Sequence, residues 1–262
     1  MTVYVCGYML VTFATVLFGK AFPWRVCGRM APADILVYGA HGPCACNPAK
    51  FRGVVLLVNG EDRAPTRFTD RTIIIGPGGI PFPYGAVVWL EMGMAQHRGP
   101  VTKHAVAYAN SNCVPEREAM AAALARVVPV HAFGKCDGRG TAQRVGADSK
   151  HWPANTRLFR GYAFVLAAEH GVVPGYVTEK PFVAAAAGAI PIYWGSDLVR
   201  TVMNPDRLLI WGENTVPKVA SLLGNSSRVR DLDAVNEAWI NRTANTIADL
   251  VRCTAQSATR CF

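Results

Sequence analysis

Short apolar runs recur along the chain at intervals that admit a helix between them. Asp34–Tyr38, Gly53–Val58, Thr72–Ile75, Val87–Leu90, Val106–Tyr108, Val127–Val130, Ala163–Ala167, Ile190–Trp194 and Arg207–Ile210 read as strands. Several are unbroken and β-branched rather than alternating, as parallel strands buried on both faces are. Between them, Glu116–Val127, Glu179–Ala187, Val216–Leu223 and Leu232–Val251 carry apolar residues at helical spacing. Pro115 and Pro181 sit near two of these helix starts, where a missing N–H costs little. The alternation predicts an α/β fold with mostly parallel sheets. Met94–Pro100 is the most polar, turn-rich break near the middle, and it divides the chain into residues 1–95 and 100–262.

The first twenty residues read in two ways. Val3–Phe18 is apolar except for Thr12 and Thr15, and the first cations (Lys20, Arg25, Arg29) follow it. Sixteen residues is short for a membrane span, and this charge order is the reverse of what a signal-anchor with its C-terminal side translocated needs. No small-residue cleavage site follows the run. A strand over Val3–Tyr8, a buried helix over Met9–Phe18 and a second strand at Ile35–Tyr38 is the preferred reading, with a membrane anchor as the alternative.

Composition narrows the partners. The chain has 262 residues with 27 Lys and Arg against 18 Asp and Glu, a net charge of +9. A basic balance suits an anionic partner, but the cations are spread singly and not clustered as in nucleic-acid binders. One or two phosphates on a small molecule fit better than a polymer. Eight cysteines leave buried thiols and disulfides as equal readings. Cys44 and Cys46 stand too close for an ordinary bridge, Cys253 and Cys261 can close a terminal loop, and Cys113 and Cys136 lie near turns. The sequons at Asn225 and Asn241 lean towards a secretory compartment, a Golgi membrane among them.

Two short motifs carry little. Ile73–Gly79 (Ile-Ile-Ile-Gly-Pro-Gly-Gly) lacks the Gly-Lys-Ser/Thr ending of one phosphate loop and the third spaced glycine of another. Pro81 and Pro83 argue against an immediate helix, so it reads as a plain turn. Asp231-Leu-Asp233 reads as helix capping and not as a metal pair. No metal site is predicted. Tyr162–Trp211 carries much more. A strand ends at Glu169, a glycine-containing spacer follows, and Tyr176, Thr178, Glu179 and Lys180 cluster at a helix N-terminus before a second strand, Ile190–Trp194. A helix N-terminus with a lysine beside it suits a diphosphate, and a nearby carboxylate can accept from sugar hydroxyls.

This segment closely resembles the donor-binding signature of the α-1,3-fucosyltransferase family, glycosyltransferase family 10. Tyr176-Val-Thr-Glu-Lys180 and Ile190-Pro-Ile-Tyr-Trp-Gly195 carry the match, and Glu169 stands at the family's spacing from Tyr176. Upstream, Ser111-Asn-Cys113, Arg117 and Gly134-Lys-Cys136 resemble a second family block. Ala33–Tyr38 and Val58-Asn-Gly-Glu-Asp62 are similar to its Asp-containing strand and Gly-Glu-Asn turn. His170 and Asp62 stand where the family has Asn, and Pro181 where it has an aliphatic residue.

The resemblance implies two facing Rossmann-like domains of the GT-B type, with GDP-fucose in the C-terminal one and a GlcNAc- or Glc-containing glycan in the cleft. It implies an inverting transfer without metal. Glu61 matches the base, and Arg117 and Lys180 match the diphosphate-binding cations. Tyr176 and Glu179 match donor contacts, Thr178 lies in the same run, and Glu169 borders the donor pocket. A catalytically degenerate GDP-sugar or glycan binder is the alternative. The N-terminal apolar segment leaves membrane association open, and no nucleic-acid partner is expected.

Overall fold

The structure is a computed structural model that describes residues 2–6, 10–18, 33–39, 47–63, 65, 67–146, 154–223 and 232–256, and the main chain of 24–26. Five strands form the first sheet: β1 (Val3–Cys6), β2 (Trp24–Val26), β3 (Ile35–Gly39), β4 (Val54–Val58) and β5 (Thr72–Ile75). Their order is β2-β1-β3-β4-β5 and every pair is parallel. All side chains of β1 and β4 are buried, which is why they read as unbroken apolar runs. Helices α1 (Val11–Phe18) and α2 (Tyr84–Glu91) pack against each other beside it. Phe13, Ala14, Leu17 and Phe18 of α1 are buried, so the apolar N-terminal run is a strand and a core helix. Among the described residues no helix is long and apolar enough to cross a membrane.

The second sheet contains β6 (Lys103–Asn110), β7 (Val130–Gly134), β8 (Gln143–Gly146), β9 (Tyr162–Ala168), β10 (Ile190–Trp194) and β11 (Leu209–Ile210). Its order is β11-β10-β9-β6-β7-β8, again all parallel. Numbered within the sheet this is 3-2-1-4-5-6, the doubly wound order whose connections reverse between the first and fourth strands, here β6 and β9. The helices are α3 (Pro115–Ala125), α4 (Asn155–Phe159), α5 (Lys180–Ala186), α6 (Val199–Val202) and α7 (Thr215–Leu222). A last helix, α8 (Glu237–Gln256), returns to the first sheet. Its Ile240, Ala244, Ile247 and Val251 share a core with Val5, Phe13 and Leu56.

Five sequence expectations are corrected. Val87–Leu90 is not a strand but the middle of α2, whose Gly85–Trp89 is buried on every side; a helix between two packed layers shows no polar face. Pro83 does not forbid that helix but serves as its N-cap, with extended backbone. Val127 is exposed in the turn after α3, and the strand begins only at Val130. The final helix starts at Glu237, not Leu232. The residues before it meet the connection from α2 to β6, where Gln96 donates to Leu232 O (3.1 Å) and accepts from Ala234 N (2.8 Å). Asp233 pairs with Arg98 there and caps no helix. Cys113 and Cys136 form a disulfide, and Cys6 and Cys253 each belong to a disulfide. Cys44, Cys46, Cys261, Asn225 and Asp231 lie outside the described residues.

Candidate active site

Doubly wound sheets bind ligands outside the carboxyl ends of their strands where the winding reverses. Here those ends are Asn110 and Ala168, with Glu169 directly after, and chemistry-bearing side chains converge on them. After β6 the chain runs Ser111-Asn112-Cys113, and the disulfide to Cys136 pins this loop to the end of β7. Helix α3 starts at Pro115 and carries Arg117 in its first turn. Arg117 is 4% exposed. Its Nε donates to Glu169 O (2.8 Å) and one terminal nitrogen to Asn112 O (3.4 Å). Burial lowers its pKa, and the neighbouring Glu169 opposes that shift. A guanidinium remains charged under such conditions. The cation is thus fixed in place before any ligand arrives.

Glu169 is wholly buried. One carboxylate oxygen accepts from Thr178 N (2.7 Å), and the other accepts from Thr178 Oγ1 (2.7 Å) and Lys180 Nζ (3.1 Å). Lys180 also donates to Thr178 Oγ1 at 2.9 Å and lies 3.9 Å from Glu179. Burial alone would pull the Lys180 pKa down; the Glu169 and Glu179 carboxylates outweigh it and hold the ammonium above its ordinary value. Gly195 passes so near this carboxylate that a Cβ there would stand 2.7 Å from Glu169 Cγ. A cavity of about 300 Å³ opens beside this network, lined by Asn110, Asn112, Arg117, Glu179 and Lys180 among others.

The first sheet supplies the facing side. Just past β4, the buried Asn59 directs a loop with its whole amide. Its Nδ2 donates to Arg63 O and Pro77 O, both at 2.8 Å, while its Oδ1 accepts from Glu61 N at 3.1 Å. Gly76 turns with φ +95°, and a Cβ there would lie 2.3 Å from Asn59 O. The glycine-rich turn therefore buttresses the Glu61 loop and makes no phosphate loop. Glu61 is exposed, in an open cleft of about 460 Å³ with Asp62, Arg63, His170 and Tyr176. Tyr176 is pushed up to about 12, first by burial and then by the Glu169, Glu179 and Glu61 carboxylates, against the pull of Lys180. Gly85 N of α2 donates to Val177 O (3.0 Å), so the first half supports the Tyr176–Lys180 loop directly.

The structure thus brings Arg117, Glu169, Thr178, Glu179 and Lys180 together, and sets Glu61 and Tyr176 in the adjoining cleft. Glu169 and Thr178 face inward, bonded within the protein; they hold the cations and the loop. Sequence reasoning gave no role to Asn59, Gly85 or Asn112, although Asn59 and Asn112 lie inside two motifs it singled out. Asn59 directly after a strand and before glycine was the one readable signal among them. Among the described residues one group has metal-ligand chemistry: Cys113, Glu118 and Cys136. Its two sulfurs are bonded to each other, and Glu118 accepts from Tyr108 (2.6 Å) and Arg139 N (3.0 Å). These residues do not fit a metal.

Two parallel α/β layers facing across a cleft, with charged side chains at the switch point of the second, have the GT-B fold of the solved structures they resemble. Residues 100–209 match the family description "Glycosyltransferase family 10 (fucosyltransferase) C-term". The chain is 33% identical over 116 residues to an alpha-(1,4)-fucosyltransferase of Arabidopsis thaliana, covering 40% of this chain and 29% of that protein. It is 29% identical over 118 residues to GDP-fucose protein O-fucosyltransferase 3 of Xenopus tropicalis, covering 43% of this chain and 25% of that one. The matches thus span less than a third of these curated relatives. A solved alpha1,3-fucosyltransferase with GDP-fucose superposes with a TM-score of 0.63 at 15% identity, over 99% of this chain and 91% of that one.

Proposed function

We propose that the chain is an inverting fucosyltransferase that moves L-fucose from GDP-fucose to a glycan hydroxyl, O3 of GlcNAc or Glc. Residues 1–95 form the acceptor side and residues 100–262 the donor side. The acceptor O–H gives its proton to the Glu61 carboxylate as the oxygen attacks the anomeric carbon from the face opposite GDP. The C1–O bond to the β-phosphate breaks, and the leaving diphosphate carries the negative charge away. Arg117 and Lys180 meet that charge; a guanidinium fork and an ammonium in a partly enclosed cavity are suited to it, and no metal is needed. Glu179, beside Lys180, accepts from a fucose hydroxyl, and Tyr176 flanks the sugar at the mouth of the cleft.

The observation that carries this reading is the convergence of Arg117, Glu179 and Lys180 on one cavity at the β6–β9 switch point. Incubation with radiolabelled GDP-fucose and a panel of GlcNAc- and Glc-terminated oligosaccharides, in chelator, tests it. Labelled glycan is the expected product. Binding of GDP-fucose with neither transfer nor hydrolysis would leave a sugar-nucleotide binder instead, a reading motivated by His170 and Asp62 at the cleft.

A further inference from the structure

The 300 Å³ cavity has more room than a diphosphate fills. Arg117, Glu179 and Lys180 make one part of its wall, but Val165, Val183 and Phe159 make another, and that part offers nothing to a phosphate. Asn155 stands on the same wall, one helical turn from Phe159 on α4. Its Oδ1 is shut off from water and takes no hydrogen bond. Capping does not account for the residue either, since the N-cap of α4 is Ala154 and no side chain bonds there. Buried polar atoms are nearly always paired within the protein, so an orphan lining a cavity calls for a partner from outside. The side chain as a whole is half-exposed and can turn its amide onto the cavity without moving the backbone.

Apolar faces with one hydrogen-bonding amide at the edge suit a planar group whose faces are apolar and whose rim is polar. A nucleobase is such a group. We propose that Asn155 is the specificity-determining residue for the nucleobase of the donor. Its amide N–H donates to guanine O6 while its carbonyl accepts from N1–H, two bonds side by side. Phe159 and the valines cover the ring. This inference rests on the GDP-fucose reading above for the choice of guanine, but not for the presence of a base.

Calorimetric titration of the full chain with GDP, ADP, UDP and inorganic pyrophosphate tests it in wild type, Asn155→Ala and Asn155→Leu. Both substitutions should weaken GDP about tenfold, the loss of its amide hydrogen bonds, and narrow the gap between GDP and ADP. Pyrophosphate, which has no base, should bind all three proteins alike. Unchanged GDP affinity in both variants overturns the proposal, and so does an equal loss for pyrophosphate, which would mean general damage to the site. If wild type prefers another base and Asn155→Ala erases that preference, Asn155 keeps its role and the guanosine donor is wrong. A wild type that binds pyrophosphate but distinguishes no base removes the role of Asn155, and one that binds none of these ligands overturns both readings.

Discussion

At the proposed donor side Glu169 is wholly buried, and Arg117 and Thr178 are each 4% exposed, whereas at the proposed acceptor side Glu61 stands in an open loop. The donor side is a network of charges bonded to one another across three chain segments, after β6, after β9 and at the start of α5. The acceptor side is shaped through the backbone, by one asparagine amide that holds the turns around Glu61. The contrast fits what the proposed reaction asks of each side. Charge meant to receive a leaving diphosphate is worth most when fixed beforehand in a low-dielectric setting. A base that meets acceptors arriving from solvent has to stay accessible. Substitutions on the donor side should therefore cost stability as well as affinity, and those at Glu61 should cost turnover alone.

The largest effect is expected at Glu61. Glu61→Gln keeps shape and hydrogen-bonding reach but cannot take a proton, so transfer should fall by about 10²–10⁴-fold. GDP-fucose affinity and melting temperature should stay at wild-type values. Near-normal transfer by a folded variant would remove Glu61 from the mechanism. On the other side, Glu169→Ala strips Lys180 and Thr178 of their acceptor. Breaking a buried pair costs about 3–5 kcal/mol, and since Lys180 is a quarter exposed the expected loss is about 2–4 kcal/mol. Denaturant unfolding of this variant reads that loss directly. A stable Glu169→Ala that binds GDP normally would erase the contrast between the two sides.

The disulfide offers a gentler cut on the donor side. Cys113 and Cys136 are 23 residues apart, and releasing such a loop costs about 3 kcal/mol on chain-entropy grounds. Since the bond pins the Ser111–Cys113 loop whose Asn112 carbonyl meets Arg117, Cys113→Ser with Cys136→Ser should also weaken GDP binding. Loss of stability with GDP binding intact would confine the bond to folding. Arg117→Lys is smaller still. It keeps the charge but loses the planar fork and the buried bond to Glu169 O, so donor affinity should fall about tenfold with a loss of stability smaller than that of Glu169→Ala.

The two sides were also unequally legible. The run from Tyr176 to Lys180 is local, and its lysine and carboxylate could be read as a phosphate and sugar site from the residues alone. The inward turn of Thr178 could not be, because it depends on Glu169, nine residues away across a loop. Asn59 is harder again, since one of its bonds reaches Pro77 across a strand and a turn. Strands buried on both faces announced themselves as apolar runs. The same signal misassigned α2, because a helix wedged between α1 and α5 is as uniformly apolar as a buried strand. β8 lies at a sheet edge with every side chain exposed, so it carried no apolar pattern to read.

The smallest expected effect is an absence of change with pH, and it sharpens the comparison most finely. In the proposed reaction, donor binding relies on the charge of Arg117 and Lys180. Burial lowers the Arg117 pKa, but a guanidinium stays protonated through the alkaline range. Lys180 is held above its ordinary value, so it too is cationic until the pH climbs past the usual lysine range. Tyr176, at about 12, stays neutral and brings no opposing charge. The protein's own charges should therefore leave GDP affinity flat between about pH 7 and 9, and Lys180 loses its proton only above about pH 10.5; the guanine N1–H, which titrates before that, acts on every variant alike. The sign for folding is the same: a lysine whose folded pKa is raised contributes its full stabilisation below the unfolded value and loses it as pH rises through the folded one. In Glu169→Gln the main support for the Lys180 charge is gone, and burial then pulls its pKa down. GDP affinity of that variant should begin to fall at lower pH than in wild type. Titrations of both proteins at pH 7, 8, 9 and 10 provide the comparison. Superimposable curves would mean that Glu169 positions Lys180 without holding its charge.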